Sequence, residues 1–183
     1  GTYTVASVNS AFNILSLAGG LGENASVRNI SIIRNGKVSG SLDIYDYLIS
    51  PETYMHTYME NGDFLLVKPM GSIVSIAGEV LRPRVYEMKE GETLEDLLLY
   101  CGGLKSKAYL GSIHLNRINN NRFEQSDIDY IEKRSKGEDV VLKNGDEIRI
   151  PMIDDKVYGF VEVSGAINIP GKYEIAENMR VRD

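Results

Sequence analysis

The stretch YCGGLKSKAYLGSIHLNR (100–117) has a second version in this chain, LAGGLGENASVRNISIIR (17–34), which lies 83 residues earlier. The identities include both glycines, the leucine after them and the final arginine. The same offset, without a gap, aligns two Asp-Tyr pairs (46–47 and 129–130) and two Asn-Gly-Asp triplets (61–63 and 144–146). A constant offset with this many matches indicates an internal repeat. The sequence therefore predicts copies of one module.

The tail of the chain resembles the opening of the second copy, at an offset of 87 residues. VSGAINIPGKYEIAENMRVRD (163–183) overlays IAGEVLRPRVYEMKEGETLED (76–96), with a glycine, a proline and a tyrosine matched. We therefore expect a first copy in 1–70 that lacks its first strand, a second copy in 72–152, and the opening hairpin of a third copy in 157–183. The pattern starts part-way through one copy and stops inside another, so we expect the sequence to be part of a longer protein.

A short amphipathic helix is predicted before the double glycine of each copy. TLEDLLLYCGG (93–103) has apolar residues at i, i+3, i+4 and i+7, and the first copy has the same spacing after Ser10. These positions are Leu94, Leu97, Leu98 and Cys101 in the second copy and Ala11, Ile14, Leu15 and Ala18 in the first. The glycines then follow the C-terminal end of each helix, where a left-handed residue closes the last turn and the negative end of the dipole repels phosphate. The pattern therefore excludes a phosphate-binding loop.

Several short strands are predicted around each helix. In the second copy SIVSIAGEV, RPRVYEM, SIHLNRI and DEIRIP read as strands that are bounded by turn signals. The Asn-Gly pair at 35–36 predicts a tight hairpin, and the Asn-Gly-Asp triplets predict a turn before the last strand of each copy. One main helix among several short strands predicts an α+β class.

The composition excludes several classes of protein. The chain has 183 residues, of which 43% are hydrophobic and 25% are charged, a balance that is typical of globular proteins. Its net charge of −6 argues against nucleic acid or an anionic membrane surface as the main partner. A single cysteine excludes a disulfide framework, and no apolar run approaches the ~20 residues that span a bilayer.

No catalytic, metal-binding or cofactor-binding residue is predicted. His56 and His114 lie in different copies, and the other copy has Asp139 and Ser31 at their positions, so a convergent metal or acid–base site is not expected. Cys101 lies on the apolar helix face and is predicted to be a small buried residue rather than a nucleophile. No serine, lysine or aspartate lies in a recognisable nucleophile motif. We therefore expect a protein that is not an enzyme and carries no cofactor.

Arginines at strand ends and a tyrosine-rich stretch supply the candidate contact residues. YDYLISPETYMHTYM (45–59) contains several of the eleven tyrosines, whose rings could stack on sugar rings. The competing interpretation is that half-buried strands and helices use tyrosine for packing, and that the arginines mark solvated strand ends. The residues chosen for contact with a ligand or a neighbouring subunit are Arg34, Arg84, Arg117, Tyr54 and Tyr58.

The order of these motifs resembles the SLBB family, the soluble ligand-binding β-grasp domains that occur in tandem in outer-membrane polysaccharide export proteins of the Wza type. In this chain the motifs read IAGEVLRPRVY (76–86), TLEDLLLYCGGL (93–104), IHLNR (113–117) and NGDEIRIP (144–151). Arg84 replaces the usual glycine after the proline, and Cys101 replaces the usual alanine. The resemblance implies tandem β-grasp (SLBB) domains, in each of which a small mixed sheet packs on one helix.

The resemblance also implies a function and a location. Family members of this kind work in the periplasm, tethered to the outer membrane, and stack as rings around a passage for capsular or exopolysaccharide. The tether would lie in parts of the protein outside this chain. The implied partners are the polysaccharide, which would be contacted weakly, other copies of the same protein in a ring, and an inner-membrane polysaccharide co-polymerase, but no nucleic acid.

Two other functions stay open on the sequence alone. The family also occurs with cobalamin-binding proteins, so the chain could be a module that binds a small ligand such as cobalamin or an oligosaccharide. A third interpretation is a domain of a respiratory dehydrogenase subunit. The cluster cysteines and the dinucleotide fingerprint of such a subunit are missing from the sequence, which disfavours it.

Overall fold

The computed structural model of the protein describes residues 1–4, 9–54, 58–154, 160–166 and 168–174. The chain divides into two compact units, Gly1–Met152 and Ile153–Asp183. Small sheets combined with short helices confirm the predicted α+β class. The expected boundaries of the three copies stay predictions.

The first half of the larger unit contains a three-stranded antiparallel sheet with the strand order β2-β1-β3. Its elements are α1 (Ala11–Leu17), β1 (Ala25–Arg34), β2 (Lys37–Leu42), α2 (Ile44–Ile49), a short 3-10 helix (Pro51–Tyr54) and β3 (Phe64–Pro69). Asn35 and Gly36 have φ values of 51° and 74°, which confirms the predicted tight hairpin between β1 and β2. Its buried apolar cluster consists of Ala11, Leu15, Ile30, Ile32, Leu42 and Met59.

The second half of the larger unit contains a five-stranded mixed sheet with the strand order β5-β4-β8-β6-β7. Its elements are β4 (Ser72–Gly78), β5 (Arg84–Met88), α3 (Leu94–Tyr100), β6 (Ile113–Asn119), β7 (Arg122–Ile128), α4 (Tyr130–Ser135) and β8 (Glu147–Ile150). Strands β4 and β8 run parallel, and the other neighbouring pairs run antiparallel. The apolar face predicted for α3 is buried in the core, as shown by Leu94, Leu97, Leu98 and Cys101.

Both double glycines close the end of a helix, as predicted. After α3, the amide of Gly102 donates to the Leu99 carbonyl at 3.0 Å, and the amide of Gly103 donates to the Leu98 carbonyl at 2.8 Å. The glycine pair after α1 makes the equivalent two bonds, at 3.1 and 2.9 Å. All four glycines have φ between 82° and 100°, a region where a side chain is strained. This crossed pair of bonds is the Schellman motif, so the glycines satisfy helix carbonyls.

The ungapped alignment of the two copies is wrong between the hairpin and the helix that follows it. In the first sheet Ile30 pairs with Leu42, and in the second sheet the equivalent Ile113 pairs with Ile128. Leu42 and Ile128 therefore correspond at an offset of 128 − 42 = 86 residues, and the two Asp-Tyr pairs do not correspond. The physical reason is that the buried face fixes the pairing register, whereas hairpin length is free to vary.

The described part of the smaller unit contains one antiparallel hairpin, formed by β9 (Phe160–Val163) and β10 (Gly171–Glu174). Its four Cα pairs match four of the pairs between β4 and β5 at the offset of 87 residues. The two hairpins therefore share one register, as copies of a single element do.

Candidate functional site: a buried arginine network between the two sheets

A buried arginine joins the two halves of the larger unit. Arg28 lies on β1 and is 5% exposed. Its Nε donates to both carboxylate oxygens of Asp43 at 3.0 and 2.8 Å, and Nη1 and Nη2 donate to the Glu92 carboxylate at 2.9 and 2.8 Å. Nη1 also donates to the Glu87 carbonyl and Nη2 to the Tyr100 hydroxyl, both at 3.2 Å. Asp43 belongs to the first half and the other three acceptors belong to the second, so the guanidinium connects them.

Strand alternation places Arg28 on the inner face of β1. Ser26, Arg28 and Ile30 are buried, whereas the residues between them are partly or fully exposed. Side chains of a strand point alternately to its two faces, so these three share one face. At the start of the strand this face meets the second sheet, and further along it covers the core of the first sheet. The buried face of β1 is therefore polar where it meets the second sheet and apolar where it covers the core of the first sheet.

Two tyrosine rings lie against the Arg28 guanidinium. The Arg28 Cζ atom is 4.8 Å from the centre of the Tyr45 ring and 4.7 Å from the centre of the Tyr100 ring. Such cation–π contacts contribute ~2 kcal/mol when the cation is desolvated. The Tyr100 hydroxyl also donates to Glu92 Oε1 at 2.7 Å. The rings therefore exclude water from the ion pairs and add to their attraction.

A second buried acid ties the sheets together without an ion pair to Arg28. Glu87 is 6% exposed, and its carboxylate accepts from the Ser26 hydroxyl at 2.8 Å and from the Val27 amide at 2.8 Å. It also accepts from the amide of Gly71 at 2.7 Å. The Glu87 amide donates to the Tyr45 hydroxyl at 3.2 Å. Because Ser26 and Val27 lie on β1 and Glu87 lies on β5, these bonds also cross between the sheets.

The pKa values of Arg28, Asp43 and Glu92 are all shifted in the direction that favours the ionised state. Burial by itself raises the pKa of Asp43, but hydrogen bonds from Lys89 and Arg28 outweigh it, so the pKa lies below its ordinary value. Burial likewise raises the pKa of Glu92, but the bonds from Arg28, the Lys89 amide and Tyr100 outweigh it and lower the pKa. Burial lowers the pKa of Arg28, and the bonds to Glu92 and Asp43 more than reverse this.

The arrangement is suited to holding two sheets in a fixed relation. Among the described residues, no buried side-chain nitrogen or oxygen lacks a hydrogen-bond partner. A general acid or base needs a pKa near the working pH, whereas the shifts in this network move its groups away from neutrality. The arginine and its acids therefore position the sheets.

Sequence reasoning missed this network for a specific reason. The partners of Arg28 in the second half lie 59 to 72 residues away in the sequence. The second copy has Gly111 at the position equivalent to Arg28, so the repeat gave no signal. One signal was available: Ser26 and Arg28 are polar residues at alternate positions, immediately before the apolar part of the strand.

Arg34 on β1 and Arg117 on β6 occupy equivalent positions and form equivalent ion pairs. Arg34 Nε and Nη2 donate to the Asp63 carboxylate at 2.9 and 2.8 Å, and Arg117 Nε and Nη2 donate to the Asp146 carboxylate at 2.8 and 2.6 Å. The aspartate side chains are 1% and 0% exposed. The hydrogen bond from Arg34 lowers the pKa of Asp63. The repeated arginine and the repeated Asn-Gly-Asp triplet are therefore two parts of one internal contact, and a ligand role for the arginines stays a prediction.

The structure brings together two of the predicted contact residues. Arg34 Nη2 donates to the carbonyl of Tyr58 at 3.4 Å, and Tyr58 is 49% exposed. Arg84 is exposed on β5, and two strands separate it from Arg117 on β6. The side chain of Tyr54 lies outside the described residues. Contact of these residues with a ligand or subunit stays a prediction.

The histidine and cysteine residues offer no assembled chemistry in the described part of the chain. His114 Nδ1 lies 2.7 Å from Asp127 Oδ1 on neighbouring strands, so it is a strand-face histidine, as expected; His56 lies outside the described residues. Cys101 is 0% exposed, and burial raises the pKa of its thiol, which confirms the prediction of a buried side chain. Within the described ranges no group of three or more His, Cys, Asp or Glu residues could hold a metal ion.

Two further observations concern ligands and membranes. A shallow depression is lined by residues 20–22, 24–25 and 67–69, with Lys68 as its charged side chain. It has little of the concave, enclosed shape that small-molecule sites need.

None of the helices described is both long and apolar enough to cross a membrane.

Comparisons with known proteins identify the second sheet. A family model described as SLBB domain matches residues 73–124, which run from β4 into β7. Two proteins of Escherichia coli, each named polysialic acid transport protein KpsD, are 34% and 33% identical to this chain over 92 residues. The match covers 50% of this chain and 14% of each relative. The chain therefore contains an SLBB domain.

Proposed function

We propose that this chain is a structural module of a capsular or exopolysaccharide export protein. It would act in the periplasm, in a protein that is tethered to the outer membrane, and would form part of a ring-like passage with other copies of that protein. The observation that carries this proposal is the similarity, over half of the chain, to proteins named for polysialic acid transport.

The Arg28 network supports a structural role. A passage built from several small domains keeps its width only if neighbouring domains hold a fixed angle. Arg28, Asp43 and Glu92 provide such a constraint, because a buried ion pair tolerates little displacement before its charges lose their partners. The larger unit would therefore act as one rigid piece of the wall.

The charge of the chain supports weak contact with the polymer. The net charge of −6 would repel an acidic polysaccharide, and a passage must release its cargo as readily as it admits it. Sugar contact would come from exposed groups such as Tyr58 and Arg84, which would bind briefly. We also propose that the module is not an enzyme, since Asp43 and Glu92 are paired with cations and their pKa values lie below their ordinary values.

A genetic experiment tests the export role. In a bacterium that carries this protein, the segment that encodes residues 1–183 is removed in frame, and surface and total polysaccharide are measured separately. We expect surface polysaccharide to fall several-fold while polysaccharide accumulates inside the cell, and the unaltered gene to restore the surface signal. Unchanged surface polysaccharide in the deletion strain would contradict the proposal.

Arg28→Met and Arg134→Met make matched complementation variants, since each removes one paired arginine. Arg28 is buried, whereas the Arg134 side chain is 69% exposed beside Glu95. We expect Arg134→Met to restore export and Arg28→Met to restore less, at equal protein levels. Equal restoration would remove the argument that a rigid module is needed.

Two binding measurements address the partners. In-cell cross-linking with mass spectrometry should recover other copies of the protein and an inner-membrane polysaccharide co-polymerase, and recovery of neither would contradict those partnerships. Calorimetry with cobalamins and with oligosaccharides should show no tight saturable binding. Submicromolar binding of either would favour a ligand-binding module instead.

A further inference from the structure

The turn between β4 and β5 and the loop after α3 lie side by side at one end of the five-stranded sheet. The Leu81 amide donates to the Gly103 carbonyl at 3.0 Å, and the Lys105 amide donates to the Glu79 carbonyl at 3.0 Å. Because these bonds run in both directions between the two segments, the segments form one surface.

This surface is basic, although the chain has a net charge of −6. Residues 79–84 and 101–108 contain four cations, and Glu79 is the one acidic residue among them. The four cations, which we call the basic patch, are all exposed: Arg82, Arg84, Lys105 and Lys107. Glu79 Oε1 lies 3.8 Å from Lys105 Nζ, so the acid of this surface pairs with only one of the four.

The two arginines of the patch lie near one tyrosine. Burial raises the pKa of Tyr86, and the charges of Arg84 and Arg82 act against this rise. Arg82 Nε donates to the Cys101 carbonyl at 3.4 Å, and a Cβ atom on Gly102 would lie 2.8 Å from Arg82 Nη2. Arg82 is therefore held against the end of α3. Within the described ranges the Arg84 side chain has no hydrogen-bond or ion-pair partner, so its charge is available to a ligand.

The hairpin fold does not need the two arginines. The hairpin β9–β10 has the same register as β4–β5 at the offset of 87 residues. The Tyr173 hydroxyl donates to the Ile169 carbonyl at 2.6 Å, as the tyrosine of β5 does to the Arg82 carbonyl at 2.8 Å. At the positions of Arg82 and Arg84 this second hairpin has Ile169 and Gly171. The same turn therefore forms without either cation.

The helix end does not need the two lysines. Both α1 and α3 end in the same crossed pair of hydrogen bonds, and the loop after α1 has Gly22 and Asn24 at the positions of Lys105 and Lys107. A cation near the C-terminal end of a helix is stabilising, yet α1 has none in its last turn. The four cations are thus additions to a fold that forms without them, which favours a binding role.

We propose that the basic patch binds the carboxylate groups of an acidic polysaccharide. Charge complementarity favours this ligand, because a polymer with many carboxylates engages several cations at once. An arginine binds a carboxylate through two parallel hydrogen bonds, and Arg84 has its side chain available for them. The inference rests on the proposed function and deepens it, since it names the charge of the polymer and the surface that contacts it.

The contact is weak and depends on salt. Exposed ion pairs contribute little individually, and the acidic remainder of the chain repels the same polymer. Raising the salt concentration from ~0.01 M to ~0.1 M shortens the Debye length from ~30 Å to ~10 Å, so the affinity should fall over this range. A weak contact of this kind lets a passage release its cargo.

Nuclear magnetic resonance titration of the ¹⁵N-labelled chain at low salt tests the proposal. The first probe is an oligogalacturonate, which carries one carboxylate per sugar, and the second is the same oligosaccharide with its carboxyl groups methyl-esterified and therefore neutral. We expect the acidic probe to shift the amide signals of residues 79–86 and 101–108, and the ester to leave them unchanged. Equal shifts from both probes, or no shift from either, would overturn the proposal.

Inorganic phosphate at the same concentration of charge is the third probe. We expect it to bind the patch more weakly than the oligogalacturonate, because a small anion meets fewer of the cations. Phosphate that bound as tightly would assign the patch to small anions and overturn the polysaccharide.

A double variant and a matched control locate the binding. Arg82→Ile with Arg84→Gly gives the turn the residues that the hairpin β9–β10 has, so the fold should be kept, and circular dichroism checks this. Arg122→Gln with Lys143→Gln removes two exposed cations at the opposite end of the sheet. We expect the first pair to weaken oligogalacturonate binding by ~5-fold and the control to change it little. Equal losses would overturn the proposal, because net charge alone would then explain the binding.

These outcomes are separate from those of the export experiment. If the deletion strain loses surface polysaccharide but oligogalacturonate does not bind, the export role stands and the patch is not its contact surface. If oligogalacturonate binds at the patch and the deletion strain exports normally, the patch stands and the export role falls.

Discussion

Replacing Arg28 by methionine should be among the most destabilising single changes in this protein. The substitution keeps a long side chain but removes the charge and every hydrogen bond of the guanidinium. It leaves the side chains of Asp43 and Glu92, 5% and 15% exposed, without their main cation. Removing one partner of a buried ion pair costs ~3–5 kcal/mol. Lys89 still pairs with Asp43, and Tyr100 still donates to Glu92, so we expect about 3 kcal/mol, at the lower end.

Urea denaturation at neutral pH measures this loss. The chain has eleven tyrosines and no tryptophan, so tyrosine fluorescence and circular dichroism are the signals. Arg134→Met is the control, because it breaks an exposed contact of 3.4 Å with Glu95. Exposed pairs contribute ~0.2–1 kcal/mol, so the control should lie near the unaltered chain. If Arg28→Met were no more destabilising than Arg134→Met, the network would not hold the fold together.

The pH dependence gives a second test of the same reasoning. The pKa values of Asp43 and Glu92 are lowered in the folded protein, so their ionisation stabilises it above the unfolded pKa values of ~4. That contribution is lost as pH falls through the folded pKa values. In Arg28→Met the same carboxylates are buried without the arginine and protonate more readily. The stability difference between the two proteins should therefore shrink from neutral pH toward pH ~4, and a difference that grows on acidification would refute the account.

Three further substitutions or measurements follow from other contacts. Asp146→Asn should lower the free energy of unfolding by ~1.5–3 kcal/mol, because it weakens the buried bonds from Arg117, whereas the exposed Asp127→Asn should have little effect in the same urea assay. Gly103→Ala should cost ~1–2 kcal/mol in thermal or urea unfolding, because φ is 100° there. Cys101 should react slowly with iodoacetamide in the folded protein and rapidly in urea, because it is 0% exposed; equal rates would contradict its burial.

Local patterns in the sequence predicted α1, α3 and the turns, but they did not predict the short helices α2 and α4. The spacing of Leu94, Leu97 and Leu98 identified α3 because one buried stripe is sufficient to define a helix face. The double glycines and the Asn-Gly pair identified a helix end and a hairpin because few residues accept positive φ. The ungapped alignment of the two copies was wrong by three residues after the hairpin, because the buried face fixes the pairing register and leaves the hairpin length free to vary.

The candidate site was less predictable, because its parts are distant in sequence and occur once. Arg34 and Arg117 were predicted to contact a ligand or a subunit, and in the structure each binds the aspartate of its own copy. That pairing could have been deduced, since the arginine and the Asn-Gly-Asp triplet repeat together. Arg28 has Gly111 as its counterpart, so the repeat carries no signal for this arginine.

This contrast separates two kinds of residue in a repeat protein. Its stability is approximately the sum of the intrinsic stability of each copy and the interface between neighbours. Asp146 contributes to the intrinsic stability of its own copy, and Arg28 contributes to the interface between the two copies. Asp146→Asn should therefore increase amide hydrogen exchange mainly in the five-stranded sheet. Arg28→Met should let the two sheets open independently, so that exchange in β1 and β3 rises above that in β4 and β8. If Arg28→Met instead raised exchange uniformly in both sheets, the two copies would be a single cooperative body and the arginine would not be their joint.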